Sequence, residues 1–144
     1  MTKKIAIIRV RGRINIRKEI RDTLSMLKLY NKNHCVVIEN TPQNMGMIKK
    51  VKDFVTYGEI EEELYKELVT KKGEEYTGRE KDSKEKIDYS RRYLVLDNKK
   101  YKKYFRLGPP RKGYGKEGIK KVFSKNGALG NRGEKINDII RRMI

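Results

Sequence analysis

The first sixty residues alternate between two hydrophobic patterns, one typical of strands and one typical of helices. Residues 3–10 are rich in β-branched side chains, and residues 34–38 place apolar side chains on both faces of an extended segment. Between and after these segments, apolar residues recur at spacings of three and four. The pattern predicts strand, helix, strand, helix and a third strand near Thr56, with one layer of helices on one sheet. The second strand is expected to be covered on both sides, at least in part.

The two predicted helices differ in how they begin and in their charge. The first follows Asn15, a residue type favoured at N-caps, and Asn31 is expected to end it in a left-handed conformation. The second follows a chain break at Thr41-Pro42, and we place Gly46 at its start, where free backbone N–H groups and the helix dipole favour a phosphate. The apolar stripes are Ile16, Ile20, Leu24 and Leu27 in the first helix and Met47, Ile48, Val51, Phe54 and Val55 in the second. The other faces of the second helix carry three lysines, a pattern that fits a merely solvated face about as well as a phosphate-binding one.

The residues after position 58 begin with a helix and continue with fewer apolar anchors. Residues 59–72 are predicted as a helix with an acidic outer face, and Gly73 is expected to stop it. Residues 74–90 are predicted as a solvated loop or as a short helix around 83–87. The apolar face of the predicted helix consists of Ile60, Leu64 and Leu68.

The C-terminal third combines two predicted strands, a glycine-rich segment and a closing helix. The strands, at 93–96 and 104–107, are separated by a segment with turn-like composition. Residues 108–133 hold seven glycines and are expected to bury little core and to mould onto a large surface. Residues 134–143 are predicted as a helix whose core positions are Ile136, Ile139, Ile140 and Met143.

The net charge adds a prediction about function: we expect this small α+β domain to bind a polyanion. The formal charge of +18 far exceeds what solubility requires and favours nucleic acid as the partner, ahead of an anionic membrane. Residues 1–58 carry 13 basic and 4 acidic side chains, residues 59–90 carry 7 and 11, and residues 91–144 carry 17 and 4. We therefore divide the chain into a basic core (1–58), an acidic helical segment (59–90) and a basic glycine-rich extension (91–144). No apolar run approaches a membrane span, no secretory signal is recognisable, and a single cysteine fits a reducing cytoplasm.

Catalytic and metal chemistry find little support in the residue pattern. His34 is the only histidine, and its neighbour Cys35 points to the opposite face of a strand, so the two do not form a dyad or a zinc site. His34 is therefore expected to be structural or to contact RNA. Tyr114, between two glycines in a basic segment, is the aromatic residue we most expect to be exposed and to stack on a base. No phosphate-binding loop or dinucleotide-binding motif is present, and no cofactor is expected.

Six stretches together resemble one known family in both sequence and order. The family is the archaeal type of large-ribosomal-subunit protein thirty, whose eukaryotic relative is called protein seven. The resemblance covers nearly the whole chain except residues 70–90, and its strength lies in the ordered set rather than in any single stretch. The stretches are RVRG, IRDTLSMLKL, NHCVVIENTP, GMIKKVKDFVTYGEI, FRLGPPRKGY and GALGNRGEKINDIIRRM.

The resemblance implies a structural protein of the large ribosomal subunit rather than an enzyme. It implies a β-α-β-α-β unit with a small, mainly antiparallel sheet, related to ferredoxin-like folds, and a C-terminal α+β extension. The implied partners are 23S-type rRNA near the 5S rRNA, and neighbouring ribosomal proteins, with no membrane and no small-molecule substrate. Eukaryotic members carry a long basic N-terminal arm that this chain lacks, so we expect an archaeal source.

We expect RNA contacts to be distributed over two groups of side chains that neutralise and position phosphates. The first group is Arg9, Arg11, Arg13, His34, Thr41, Pro42, Gly46, Lys49, Lys50 and Lys52. The second group is Arg106, Arg111, Lys112, Tyr114, Asn131 and Arg132. The alternatives are a free-standing assembly or chromatin factor that binds RNA or DNA, and an RNA-modifying enzyme, for which no acid, base or cofactor pocket is recognisable.

Overall fold

The computed structural model describes residues 4–12, 14–76, 93–96, 98–114, 116, 118–119, 121–125 and 127–144. The strands of this part of the chain are β1 (Lys4–Arg9), β2 (His34–Glu39), β3 (Val55–Glu59), β4 (Tyr93–Leu96), β5 (Lys99–Lys102), β6 (Tyr104–Arg106) and β7 (Gly130–Asn131). The α-helices are α1 (Lys18–Met26), α2 (Pro42–Lys50), α3 (Glu62–Lys72) and α4 (Ile136–Met143). The predicted β-α-β-α-β order and the α+β class are confirmed.

Five strands form one sheet in the order β6-β2-β1-β3-β7. β1 lies in the centre and pairs antiparallel with β2 and β3, β6 pairs antiparallel with β2, and only the β3–β7 pair is parallel. β6 and β7 come from the C-terminal third of the sequence and occupy the two edges. The central sheet is therefore completed by residues that lie far from the first sixty in the sequence.

Helices cover both faces of this sheet. The sequence predicted a single layer of helices, so it accounted for only one of the two faces. Ile7 and Val36 pack with residues of α1 and α2 on one face. On the other face, Ile8 and Cys35 pack with residues of α3 and α4. The apolar residues on both sides of β2 are therefore explained, since each side meets a different helical layer.

The first two helices begin and end at different residues from those expected. α1 starts at Lys18 with Arg17 at the N-cap position, and Asn15 is left-handed, with a φ of 57°. Lys28 rather than Asn31 adopts the left-handed conformation after the helix, with a φ of 64°. α2 starts at Pro42 and ends at Lys50, so Val55 belongs to β3. Gly46 is therefore the fifth residue of α2, and its placement at the helix start was wrong.

The C-terminal third is more structured than its glycine content indicates. The supposed turn between the two predicted strands contains β5, which pairs with β4. Ala128 and Leu129 are buried, and Gly130 pairs with Thr56 of β3, so residues 108–133 do contribute to the core. The closing helix is confirmed, and its four predicted core residues are all buried. The expectations for residues 77–90 lie outside the described residues.

Close packing of α4 against β3 depends on one glycine. A Cβ at Gly58 would collide with the carbonyl oxygen of Gly133 and would lie 2.9 Å from the Cβ of Ile136. Backbone at position 58 therefore approaches the start of α4 more closely than any side chain permits.

Candidate nucleic-acid interface

Most of the predicted contact residues come together at one end of the sheet. β1 and β6 end there and β3 begins there, because Arg9 pairs with Val55 and His34 pairs with Arg106. The backbone N–H groups of Val10 and Arg11 both donate to the carbonyl of Phe54, at 2.9 and 3.3 Å. We call this region, formed by residues 10–12, 14–17, 49–54 and 107–114, the basic end.

Three exposed lysines surround the C-terminus of α2 at the basic end. Lys49, Lys50 and Lys52 are exposed, whereas the adjacent Ile48 and Val51 are completely buried. The apolar pair anchors the helix end, so the ammonium groups extend into solvent from a fixed backbone. Cations at this position also match the negative end of the helix dipole. The lysines can therefore approach a phosphate without disturbing the core.

The N-terminus of α2 lies at the other end of the sheet, away from these lysines. Glu39, which ends β2, pairs with Lys4 at the start of β1. Thr41 Oγ1 accepts a hydrogen bond from the backbone N–H of Asn44 at 3.2 Å, and Pro42 takes the first helical position. Thr41, which the sequence analysis assigned to RNA contact, therefore uses its hydroxyl to cap α2. Thr41 and Pro42 therefore lie at the opposite end of α2 from the lysines, whereas the exposed Gly46 lies one turn before Lys49 and Lys50.

Arg11 forms part of a shallow cleft at the basic end. Its guanidinium carbon lies 5.0 Å from the centre of the Phe54 ring, and Nη1 donates to the carbonyl of Asp53 at 3.4 Å. Arg17, which the sequence analysis did not select, lines the same cleft and is exposed. Arg13 lies outside the described residues. Two arginines are therefore presented beside the three lysines.

Arg9 is buried, contrary to its predicted place on a contact surface. Its side chain is 2% exposed. Nη1 donates to the carbonyls of Leu29 (2.8 Å) and Tyr30 (3.1 Å), Nε donates to that of Arg11 (3.0 Å), and Nη2 donates to that of Gly12 (3.3 Å). The guanidinium thus supplies a donor to the buried carbonyl of Leu29 and connects it to three partly buried carbonyls. Arg9 shapes the basic end from inside.

Arg132, which directly follows β7, is a second buried arginine whose guanidinium donates to protein oxygens. It is 6% exposed, and it donates to Thr56 Oγ1 and the carbonyl of Tyr114, both at 2.8 Å, and to the carbonyl of Ala128 at 3.1 Å. Burial lowers the pKa of Arg132 from 12.5 to about 10, a value at which the guanidinium is still charged at neutral pH. Arg132 is therefore enclosed rather than presented on the surface, and its donors are used by the protein itself.

Tyr114 is half-buried rather than free to stack on a base. Its hydroxyl donates to Oδ1 of Asn33, and its carbonyl accepts from Arg132. Burial raises the pKa of the Tyr114 phenol to about 12. Tyr114 therefore fastens the C-terminal segment to the turn before β2.

His34 is also enclosed, and its imidazole faces protein groups. It is 6% exposed and stacks on the ring of Tyr104, with the two centres 5.3 Å apart. Burial is the main cause that lowers the pKa of His34, the positive charges of Arg106 and Arg9 lower it further, and Glu74 opposes them. Burial also raises the pKa of the Cys35 thiol to about 12. Both side chains are therefore enclosed by protein and are not part of the exposed surface.

The remaining predicted residues are exposed, but they differ in their surroundings. Arg106 forms an ion pair with Glu74, and Oδ1 of Asn131 accepts from the backbone N–H of Gly133 at 2.8 Å. Arg111 and Lys112 are exposed on a turn. Of these residues, Arg111 and Lys112 add the clearest positive charge to the basic end.

The turn that carries Arg111 and Lys112 is held by a residue that sequence reasoning assigned simply to the outside of α4. Arg142 donates through Nη1 to the carbonyls of Arg111 (2.9 Å) and Gly113 (3.0 Å). The basic run at the end of the predicted helix was a signal for a charged residue here, but not for this contact. The C-terminal helix thus fixes a turn of the basic end.

The arrangement suits a large anionic partner better than a small one. The exposed cations at the basic end belong to separate segments, and hydrogen bonds from Arg9 and Arg142 fix two of the turns. Such a spread matches that of phosphates along folded RNA. Among the described residues, no group of three or more His, Cys, Asp or Glu side chains could hold a metal ion. None of the helices in the described ranges has the length and hydropathy required to cross a membrane.

Comparison with known proteins identifies the family. The sequence profile described as "Ribosomal protein L30p/L7e" matches residues 5–55. The chain is 44% identical to the large ribosomal subunit protein uL30 of Nanoarchaeum equitans, over 96% of this chain and 97% of that protein. The chain belongs to the ribosomal protein L30p/L7e family. It is also 42% identical to the uL30 protein of Methanopyrus kandleri, over 94% of this chain and 100% of that protein, and 41% identical to that of Methanococcus maripaludis, over 96% and 98%.

The family profile and the individual relatives cover different lengths of the L30p/L7e chain. The profile runs from β1 to the start of β3 and includes Arg11 and the three lysines after Ile48. The archaeal relatives match 94–96% of the chain, so the similarity extends into the C-terminal third. Both halves of the basic end therefore lie within sequence that is similar to named uL30 proteins.

Proposed function

We propose that this protein is a structural component of the large ribosomal subunit, where it binds and positions rRNA during translation. The observation that carries the proposal is the match, over almost the full length of both chains, to archaeal proteins named large ribosomal subunit protein uL30. A formal charge of +18 supports an RNA partner. The proposal includes no enzymatic activity.

The basic end is the surface that would contact rRNA. Its exposed cations neutralise phosphates from RNA segments that otherwise repel one another, and release of condensed counterions drives binding. Because the cations are lysines and arginines on separate turns, they position the RNA backbone rather than read its sequence. The proposed contact residues are Arg11, Arg17, Lys49, Lys50, Lys52, Arg111 and Lys112.

The position within the subunit and the remaining partners form a finer part of the proposal. We place the protein on 23S-type rRNA near the 5S rRNA, beside other ribosomal proteins. The support is the ordered sequence resemblance to the family. Cross-linking of the protein to RNA within purified subunits tests this part, since links to both rRNAs are expected. Links confined to a distant region of the large-subunit RNA would contradict it.

Sedimentation of cell extract through a sucrose gradient tests the main proposal. The protein is expected to migrate with the large subunit in near-stoichiometric amount and to stay there after a salt wash. Release into the light fractions at modest salt would instead indicate a free-standing nucleic-acid-binding factor. A gradient run at low magnesium, which separates the subunits, is the control for which subunit carries the protein.

A further inference from the structure

The cleft at the basic end contains apolar side chains from three separate segments as well as its two arginines. Its volume is about 480 Å³. Ile20 comes from α1, Phe54 from the turn before β3, and Val122 and Leu129 from the C-terminal third. Val122 is 41% exposed, so apolar surface is open to solvent among the cations of the basic end. We call this feature the Phe54 cleft.

Four polar side chains line the Phe54 cleft, and their partners differ. Arg11 contacts the Phe54 ring and the carbonyl of Asp53, both of which belong to the cleft. Within the described part of the chain, the exposed side chains of Arg17 and Asp53 have no ion-pair or hydrogen-bond partner. Asn15 adds an exposed amide. The cleft therefore presents a cation, a carboxylate and an amide beside its apolar surface.

Backbone hydrogen bonds fix the segments that carry the apolar side chains. The carbonyl of Val122 accepts from the N–H groups of Lys125 at 3.0 Å and Gly127 at 2.9 Å. On the other side, the N–H of Phe54 donates to the carbonyl of Val51 at 2.9 Å. The cleft is therefore formed before a partner arrives, which lowers the entropic cost of filling it.

An unpaired nucleotide uses this combination of groups more completely than other occupants do. A base has flat faces that stack on aromatic rings and guanidinium planes, and an edge that forms hydrogen bonds with groups such as the Asp53 carboxylate. The attached phosphate can be neutralised by Arg17. A phosphate alone would gain nothing from the apolar walls and would be repelled by Asp53. An apolar side chain of a protein partner would leave both charged groups unused.

We propose that the Phe54 cleft holds one unpaired base of rRNA, while Arg17 contacts a phosphate of the same strand. This role rests on the proposed rRNA binding and adds a base contact to a surface of phosphate contacts. Because only a base outside the helical stack can enter a cleft, the bound RNA is expected to present a loop or a bulge here. Base stacking, which the sequence analysis assigned to Tyr114, is thereby assigned to the Phe54 cleft instead.

A fluorescent reporter in the cleft tests the proposal, because the chain contains no tryptophan. Val122→Trp places a single indole in the wall of the cleft. Val95→Trp, at a valine of β4 that is 63% exposed, is the matched control outside it. Single-stranded RNA of mixed sequence is expected to quench the fluorescence of the Val122→Trp variant by base stacking and to leave the control unchanged. Inorganic polyphosphate, which carries negative charge without bases, is expected to quench neither variant.

The outcomes separate a failure of the base contact from a failure of rRNA binding. Filter binding to large-subunit rRNA is measured on the same proteins. Retained binding without quenching of the Val122→Trp variant would overturn the base contact and leave the proposed function standing. Equal quenching of both variants, or quenching by polyphosphate, would also overturn the base contact. If the wild type failed to bind the rRNA, both proposals would fail.

A second pair of variants measures the base contact through affinity, whether or not the tryptophan variants fold. Val122→Asn is expected to weaken rRNA binding by about tenfold, because stacking in the cleft is lost. The slope of log affinity against log salt should stay the same, since a base contact releases no counterions. Val95→Asn is expected to change neither quantity, and Arg17→Met is expected to reduce the slope by about one. Wild-type affinity in the Val122→Asn variant would overturn the base contact.

Discussion

Two sets of positively charged residues lie in or directly behind the basic end, and they differ in what surrounds them. Arg9 and Arg132 are almost fully enclosed, and their guanidinium groups donate to convergent protein oxygens. Lys49, Lys50 and Lys52 extend into solvent from the end of α2. A guanidinium has five donors in a rigid plane and suits a pocket of carbonyls, whereas an ammonium is a strongly hydrated point charge. The first set therefore shapes the surface, and the second set is available to a partner.

The largest expected effect comes from removing a buried guanidinium. Arg132→Met leaves the carbonyls of Tyr114 and Ala128 and the hydroxyl of Thr56 without their donor, and should lower the free energy of unfolding by about 3 kcal/mol. Urea denaturation measures the loss. Arg111→Met, on an exposed side chain, is the control and should change stability little. If both variants lost the same stability, the distinction between enclosed and exposed arginines would fail.

Removing the three lysines should weaken RNA binding and leave the fold intact. Replacing Lys49, Lys50 and Lys52 together by alanine should reduce the slope of log affinity against log salt by about three and weaken binding on the order of 100-fold near 0.15 M salt. Filter binding to large-subunit rRNA over a salt series measures both quantities. Lys66, Lys71 and Lys72 of α3, replaced in the same way, provide the control. An unchanged slope in the α2 variant would remove these lysines from the proposed contact surface.

Gly58→Ala tests how strongly the stability of the enclosed part of the protein depends on close packing, without any change of charge. The added methyl group collides with the Gly133 carbonyl and the Ile136 side chain, so the variant should lose about 2 kcal/mol of stability. Thermal unfolding followed by circular dichroism is the measurement. Stability equal to that of the wild type would show that α4 can shift away from β3 without cost.

Gly46→Ala is the corresponding substitution at an exposed glycine, and it is expected to raise the free energy of unfolding. A methyl group at this position of α2 meets no atom within 4 Å, and alanine is favoured over glycine inside a helix. The variant should gain about 0.5–1 kcal/mol of stability. The same thermal measurement decides, and a loss of stability would mean that α2 does not extend through residue 46.

The smallest expected effect is a dependence of stability on pH through His34. Because burial lowers the pKa of His34 in the folded protein, the unfolded chain, with a pKa near 6.5, takes up the proton first. The free energy of unfolding should therefore fall as the pH decreases below about 6.5. Urea denaturation between pH 5 and 7.5 measures this fall, and His34→Gln should make it shallower. An identical pH profile in the variant would assign the effect to other groups.

Sequence patterns were reliable where a residue's environment depends on its near neighbours. The apolar spacing of α4 correctly marked four buried residues, and the β-branched run of β1 marked the central strand. Patterns were less reliable at element ends. Thr41 and Pro42 specify the start of α2 strongly, yet the apolar stripe placed the helix some residues later. Helix ends are set by individual capping bonds, which periodicity does not resolve.

The sequence predicted the contact residues largely from their charge. Burial in the structure then separates these residues into exposed and enclosed ones. Composition selected nucleic acid as the partner and the lysines of α2 as contacts, and those lysines are exposed. The sequence analysis also assigned Arg9, His34 and Arg132 to the contact groups, and these residues are enclosed. The signal for a basic residue is the same in both cases. Whether protein oxygens converge on that residue depends in part on segments distant in the chain, such as the Thr56 hydroxyl for Arg132 and the Tyr30 carbonyl for Arg9.

The sequence by itself determined the β-α-β-α-β order, the closing helix and the attraction to a polyanion, because these depend on local periodicity and total charge. Only the tertiary structure decided that helices cover both faces of the sheet and that β6 and β7 complete its edges. It also decided which cations are free to meet a partner. These features depend on contacts between residues distant in the chain, and a side chain's exposure is a property of everything packed around it.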